Sequence, residues 1–490
     1  MRSSTQLPEA RGRHRAVGRH RAARTGGGSP ARRLFTVVPW VLVALIGANP
    51  AFGYWSSTGA GQGAASTSTL TAPTAVTVPT LAYPNVTVSW TASTGSPAPT
   101  GYYVTRTNGT TTAACASSPT TLITALTCTD LAVPVGGPYT YSVVAVYRSW
   151  TATSAASAGV TVAPPTKVVF TAQPTNAVAG VAISPAIAVT VETAAGAAFP
   201  ASGTSVAVAL TTPAGATLSG TATALTNSSG VATFSGLSVD KAANYTLTAT
   251  SSGLTSATSS SFTITAAAAA KFVITSTAVS GAASATANLG PITVQEQDAF
   301  GNPVNAPVGG TTVTVTSNST GTTTFSATLG GSPVSAVSIA SGASSATFFY
   351  GDTKAATPTI TVSGSLTSAT QVETVLAGAA AKLLFGQQPT NTARGATITP
   401  AVTVQVLDQF ANLTTSTASV VIAIGNNAGL LGLGVLYGTT TKNAVAGVVT
   451  YSNLSIDGAI LGIGGKGTGY TLVVTSTGLA GATSAPFNIT

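Results

Sequence analysis

Three stretches of this chain open in the same way. Lys167-Val-Val-Phe170 runs into Gln173-Pro-Thr-Asn176, Lys382-Leu-Leu-Phe385 runs into Gln388-Pro-Thr-Asn391, and Lys271-Phe-Val-Ile274 begins a more diverged copy between them. The starts lie 104 and 111 residues apart, room for each copy to bury a core of its own rather than to stack as a solenoid repeat. The spacing predicts a string of separate domains over most of the chain. It constrains architecture and names no ligand.

The fold class follows from what fills the copies. Thr and Val dominate, and 52 Gly and 26 Pro punctuate the sequence. In Ile187-Ala-Val-Thr-Val191 and Val402-Thr-Val-Gln-Val406 the apolar residues fall on one parity, the pattern of a half-buried strand. Helical periodicity is nearly absent. The alanine run Ala266 to Ala270 is too short to stand alone as a helix and reads as a linker. The expected fold is all-β.

The charge balance, nineteen Lys plus Arg against ten Asp plus Glu, suggests a nucleic-acid partner until its distribution is examined. Nine of the nineteen are Arg2, Arg11, Arg13, Arg15, Arg19, Arg21, Arg24, Arg32 and Arg33, opposed only by Glu9, which leaves ten cations against nine anions beyond them. A nearly neutral surface has no footprint for a phosphate backbone, so no nucleic-acid partner is expected. The basic head is followed by the apolar run Leu34 to Ile46 and the small-residue site Ala51-Phe-Gly53. These are the parts of an export signal, with cleavage expected near Tyr54. Arg32-Arg33-Leu34-Phe35 also resembles part of a twin-arginine signal, so the general and twin-arginine routes both stay open. An uncleaved anchor is the alternative; the apolar run is shorter than the ~20 residues of a spanning helix. Membrane contact is expected only through this segment, if it is retained.

An exported chain meets an oxidising environment, so Cys115 and Cys128, 13 positions apart, are expected to form a disulfide worth about 3 kcal/mol in the chain-entropy model. A metal site lacks partners, because both histidines, His14 and His20, lie in the leader. The usual general base and the commonest zinc ligand are thus missing from the rest of the chain. Its acids are Asp130, Glu192, Asp240, Glu296, Asp298, Asp352, Glu373, Asp408 and Asp457, scattered at one to four per module. Asp240, Asp352 and Asp457 recur at the same place in each repeat, as do Asp298 and Asp408, and both sets read as turn chemistry. No catalytic residue, cofactor or metal site is expected, and the protein is expected not to be an enzyme. Glu296, Asp298 and Asn302 offer oxygens to calcium, but such a site needs six or more ligands, and a solvated turn is the expected reading. Glu296 is expected at a wet strand end or against Lys271.

Landmarks align along the copies. A second strand ends in Asp298-Ala-Phe-Gly-Asn-Pro303 or Asp408-Gln-Phe-Ala-Asn412, where the aromatic is expected to cover the end of the core. Later come Gly230-Val-Ala-Thr-Phe234 and Gly447-Val-Val-Thr-Tyr451, and last Tyr245-Thr-Leu-Thr-Ala-Thr250 and Tyr470-Thr-Leu-Val-Val-Thr475. This order resembles bacterial immunoglobulin-like domains of the invasin and intimin type over about 320 residues, which implies β-sandwiches used as spacers, adhesins or accessory domains. Upstream, Val86-Thr-Val-Ser-Trp90, Thr100-Gly-Tyr-Tyr-Val104 and Tyr139-Thr-Tyr-Ser-Val-Val-Ala-Val-Tyr147 resemble a fibronectin type III domain, with Trp90 in its core. Cys115 and Cys128 are not part of that family's usual pattern. Surface immunoglobulin-like modules sometimes carry a Lys–Asn isopeptide bond, for which Lys382 and Asn488 are placed to face each other, but Val406 stands where an acid is needed. The bond is not expected.

The expected organisation is a basic leader and signal at 1–53, a linker at 54–69, a fibronectin type III-like domain at 70–163, and immunoglobulin-like repeats at 166–265, 270–376 and 381–490. The candidate partner-binding residues are Tyr147, Arg148 and Trp150, in the last hairpin loop of the first module, because exposed Tyr, Trp and Arg dominate binding hot spots. The bland alternative is that Trp150 folds over its own loop. The expected function is a non-enzymatic extracellular or cell-surface spacer or adhesin whose partner is a protein or glycan on a surface. A carbohydrate-binding accessory protein is the alternative, expected if Tyr147 and Trp150 are exposed and coplanar.

Overall fold

The computed structural model describes residues 67–459 and 464–490. The leader and nearly all of the 54–69 linker lie outside the described residues. What is described is all-β; the one helical element among the described residues is a single 3-10 turn, Leu430–Gly432. The predicted alternation is realised directly: along Val86–Thr91 the side chains of Val86, Val88 and Trp90 are buried while Thr87 and Thr91 face out.

The first module pairs Thr74–Thr77, Val86–Thr91 and Thr127–Asp130 in one sheet. The opposing sheet runs Leu81–Ala82, Val160–Val162, Gly136–Tyr147, Gly101–Asn108, Thr110–Ala114, and Trp150–Thr153 folds back on Gly136–Tyr147. The two sheets make a β-sandwich, the fold expected of a fibronectin type III-like domain. Val86, Val88, Val104, Tyr141 and Val143 fill it, each contributing about 1.5–3 kcal/mol by leaving water. The Trp90 ring meets Tyr102 edge-on with centroids 5.6 Å apart. Cys115 and Cys128 are disulfide-bonded with Cα atoms 5.9 Å apart. The bond ties the end of Thr110–Ala114 to Thr127–Asp130 in the opposite sheet.

Three further cores follow, one per repeat. Each repeat opens with its lysine strand paired antiparallel to the next strand: Val168 lies opposite Val191, Phe272 opposite Glu296, and Leu383 opposite Val406. The same lysine bridges in parallel to a late segment of its own repeat, Lys167 to Thr255, Lys271 to Thr367 and Lys382 to Ala480. That bridge is common to all three repeats. Ala266 to Ala270 is neither helix nor strand.

Hydrogen-bond register corrects one alignment. Gly180 N–H donates to Val239 O, Ser284 N–H to Asp352 O, and Gly395 N–H to Ile456 O. Asp240 and Asp457 therefore share a position, and Asp352 stands one residue ahead of them. Because side chains alternate along a strand, that single step turns Asp352 inward. It is fully buried, accepting from Lys354 N–H at 2.8 Å, the turn bond expected of it, and also from Tyr350 Oη at 2.7 Å in the core.

Candidate functional site

The hairpin expected to carry partner binding is formed by Tyr147 and Trp150 facing each other across the two-residue turn Arg148-Ser149. Arg148 has φ +52°, the left-handed geometry that a two-residue hairpin demands. Trp150 is 37 % exposed. Its ring stands edge-on to Tyr147, 6.5 Å between centroids and 69° between planes, and the Arg148 guanidinium lies 5.5 Å from the Tyr147 centroid. The coplanar platform that the carbohydrate alternative requires is not formed. What the tip offers is a cation and two perpendicular aromatic edges.

The acids are placed by local need. Asp130 is buried between Arg106, at 2.7 Å, and Tyr141 Oη, at 2.9 Å. Burial and that carboxylate push the Tyr141 hydroxyl well above its ordinary value. Glu192 meets Lys167 at 3.5 Å and Asp457 meets Arg394 at 3.3 Å. Glu296 is neither wet nor paired with Lys271: it is 1 % exposed, lies across from Phe272, and its Oε1 has no hydrogen-bond partner. Glu373 is likewise buried; its Oε2 accepts from Val279 N–H at 2.5 Å, and burial pushes its carboxyl above the usual range. Lys382 Nζ donates to Gln409 O and Asn488 Oδ1 accepts from Gly469 N–H, so the pair considered for a covalent cross-link does not meet. Among the described residues no three of His, Cys, Asp and Glu gather as metal ligands.

The densest polar sites are ones that sequence reading passes over as turns. Asp298 is fully buried and accepts four N–H groups: Phe300 and Asn302 backbone on Oδ1 at 2.9 and 2.8 Å, and on Oδ2 the Asn302 side chain at 2.7 Å and linker Ala267 at 2.9 Å. Asp408 repeats this with Phe410, Asn412 and linker Gly378, at 2.8 to 2.9 Å. Burial alone raises such a carboxyl, but the donated hydrogen bonds outweigh it and both sit below the usual range.

Each asparagine then reaches into the preceding module. Asn302 accepts from Ala242 N–H at 2.9 Å and donates to Asp240 O at 2.8 Å; Asn412 accepts from Ala355 N–H at 2.9 Å and donates to Thr353 O at 2.8 Å. The expected solvated turn is thus a buried junction, with Asn302 and Asn412 both buried. The aromatic also points elsewhere than expected. Phe300 lies over Gly180 of repeat 1, where a Cβ would collide with the ring, and Phe410 packs on the core of repeat 2. Lys241 Nζ adds a hydrogen bond to Phe300 O. The available signal was the recurrence of Asp-x-Phe-x-Asn itself; a turn alone needs neither the aromatic nor a second amide.

No family model and no curated protein matches the chain. Among solved structures it is similar to surface layer protein SbsC, domains 4-9, at 16 % identity over 85 % of this chain and 66 % of that one, TM-score 0.25. It is similar to invasin, described as a bacterial integrin-binding protein, at 14 % identity over 84 % and 79 %, TM-score 0.24. It is also similar to the FN1-FN3 domains of chicken CNTN1 at 11 % identity over 62 % and 99 %, TM-score 0.18.

Proposed function

We propose that this is an exported, non-enzymatic modular protein in which β-sandwiches in series serve as a spacer and present the Tyr147-Arg148-Trp150 hairpin to a protein partner at a surface. The observation that carries the reading is the serial junction: Asn302 and Asn412 each bind the backbone of the module before, so neighbouring sandwiches are docked rather than loosely tethered. The leader supports export, and the absence of histidine beyond it supports a role without proton-transfer chemistry. A protein partner is favoured over a glycan because the 69° between the Tyr147 and Trp150 planes leaves no flat stacking surface.

Fractionation of producing cells with N-terminal sequencing tests export. Recovery outside the cytoplasm with a new terminus near Tyr54 supports it, and full-length protein confined to the cytoplasm refutes it. A glycan array and a cell-binding assay, each with Trp150→Ala alongside the parent chain, test the hairpin. Cell binding lost on substitution with an empty glycan array is the expected result; a sugar signal that vanishes on substitution would install the carbohydrate reading instead.

A further inference from the structure

The Asp-x-Phe-x-Asn motif does more than close a turn, and its pattern along the chain is informative. In one five-residue stretch a carboxylate holds the incoming linker and its own loop, and an amide grips the previous module through a donor and an acceptor two residues apart. The two instances agree to within about 0.1 Å in every bond of the grip, 2.9 and 2.8 Å in both, on receiving turns that align without a shift, Asp240 with Thr353 and Ala242 with Ala355. The receiving turns share Lys-Ala-Ala, Lys241 to Ala243 and Lys354 to Ala356, so the geometry belongs to the motif and its seat together.

The ligands of a cation are spoken for. A carboxylate offers about four acceptor sites, and Asp298 and Asp408 each receive four N–H groups. The asparagine oxygens are bonded to Ala242 and Ala355. Of the Glu296, Asp298 and Asn302 oxygens, Glu296 Oε1 is left without a hydrogen-bond partner, and that falls far short of the six or more oxygens a hard cation needs.

The ends of the pattern differ. Repeat 1 makes the same turn, with Thr193 N–H donating to Ala197 O as Asp298 N–H does to Asn302 O, but carries Ala195 and Ala197 in place of the aromatic and the amide. In repeat 3 the position of Ala242 and Ala355 is held by Ala459, whose N–H is bonded to Leu433 O within the same module. That loop is anchored by Asn427, which donates to Gly432 O and Gly434 O at 2.7 Å.

We propose that Asp-x-Phe-x-Asn is a docking clasp that fixes each module on the one before it without a bound cation, and that it marks repeats 1 to 3 as one clasped segment. Repeat 1, lacking the motif, opens the segment; repeat 3, its receiving amide already used, is closed to a further clasp. This holds whether or not the protein is exported.

Distance measurements by pulsed electron resonance on the full chain test it. Spin labels go on Leu225→Cys with Val308→Cys, spanning the first clasp, and on Val308→Cys with Val445→Cys, spanning the second; all three sites are exposed and the native disulfide is kept. Each pair is expected to give one narrow distance, unchanged by EDTA. Asn302→Ala is expected to broaden the first distribution at least about twofold and leave the second alone, and Asn412→Ala the converse. Gly180→Ala, which presses on Phe300 from repeat 1 while leaving the motif's own residues unsubstituted and also strains the left-handed Gly180 backbone, is expected to broaden the first as well. Distributions that stay narrow in the Asn302→Ala and Gly180→Ala chains, or a parent chain that broadens in EDTA, would overturn the proposal.

Discussion

The junction between the fibronectin type III-like module and repeat 1 and the two junctions between repeats solve one problem with opposite materials. At the first, Leu81 leaves its own module's core and is buried among Val168, Phe170 and the rest of the repeat 1 cluster, with Ala163 of the connecting segment packed beside it. At the others a buried carboxylate and amide bind backbone groups. Apolar contact is non-directional and tolerates a shift in angle, whereas paired hydrogen bonds tolerate little. The comparison therefore assigns fixed orientation to the repeats and a softer seat to the first module.

The largest effect is expected where a buried charge is removed from its donors. Asp298→Ala strips four N–H groups of their acceptor and is expected to destabilise repeat 2 and its junction by about 3–5 kcal/mol. Chemical denaturation followed by hydrogen exchange across repeats 1 and 2 measures it; a loss no greater than that of an exposed threonine would contradict the clasp. Leu81→Ala is next, at about 2–4 kcal/mol, and acts on the other kind of junction. Its exchange signature is expected at the boundary of the first module with repeat 1, with both clasps protected as before.

Asn302→Ala, which leaves the carboxylate in place, is expected to cost about 1–3 kcal/mol, confined to the contact between repeats 1 and 2. A double-mutant cycle with Asn412→Ala is expected to be additive, since the two clasps share no residue. Acid gives the smallest effect in the ordinary range. The Asp298 and Asp408 carboxyls lie lower in the folded chain than in the unfolded one, so their stabilisation is complete above about pH 4 and is lost only as pH falls through the lowered folded values. Glu373 has the opposite sign: its folded value is raised, so repeat 2 gains stability as pH falls from neutral, and Glu373→Gln is expected to flatten that slope in a pH series of thermal melts.

Much of the fold is legible from parity alone. Ile187 to Val191 and Val402 to Val406 place their apolar side chains inward because a pleated strand alternates, and Trp90 is core because an aromatic on such a strand must be covered. The junctions are harder to read. Asp, Gly and Asn in one short stretch are the residues any turn prefers, so local preference explains Asp298 and Asn302 without invoking a neighbour, and the distant partners lie 31 residues away for Asp298 and 60 and 62 away for Asn302. Asp352 misleads for a related reason: one residue of register separates a surface turn from a buried bond to Tyr350, and composition does not encode register. The hairpin tip is legible in position but not in form, because the angle between Tyr147 and Trp150 depends on rotamers and not on sequence order.

Residual dipolar couplings on the full-length chain, recorded in metal-free buffer, test the central claim most directly. The clasps predict that repeats 1, 2 and 3 report one shared alignment tensor. Three tensors of different magnitude or axis, one for each repeat, would show the sandwiches moving independently and would contradict the account.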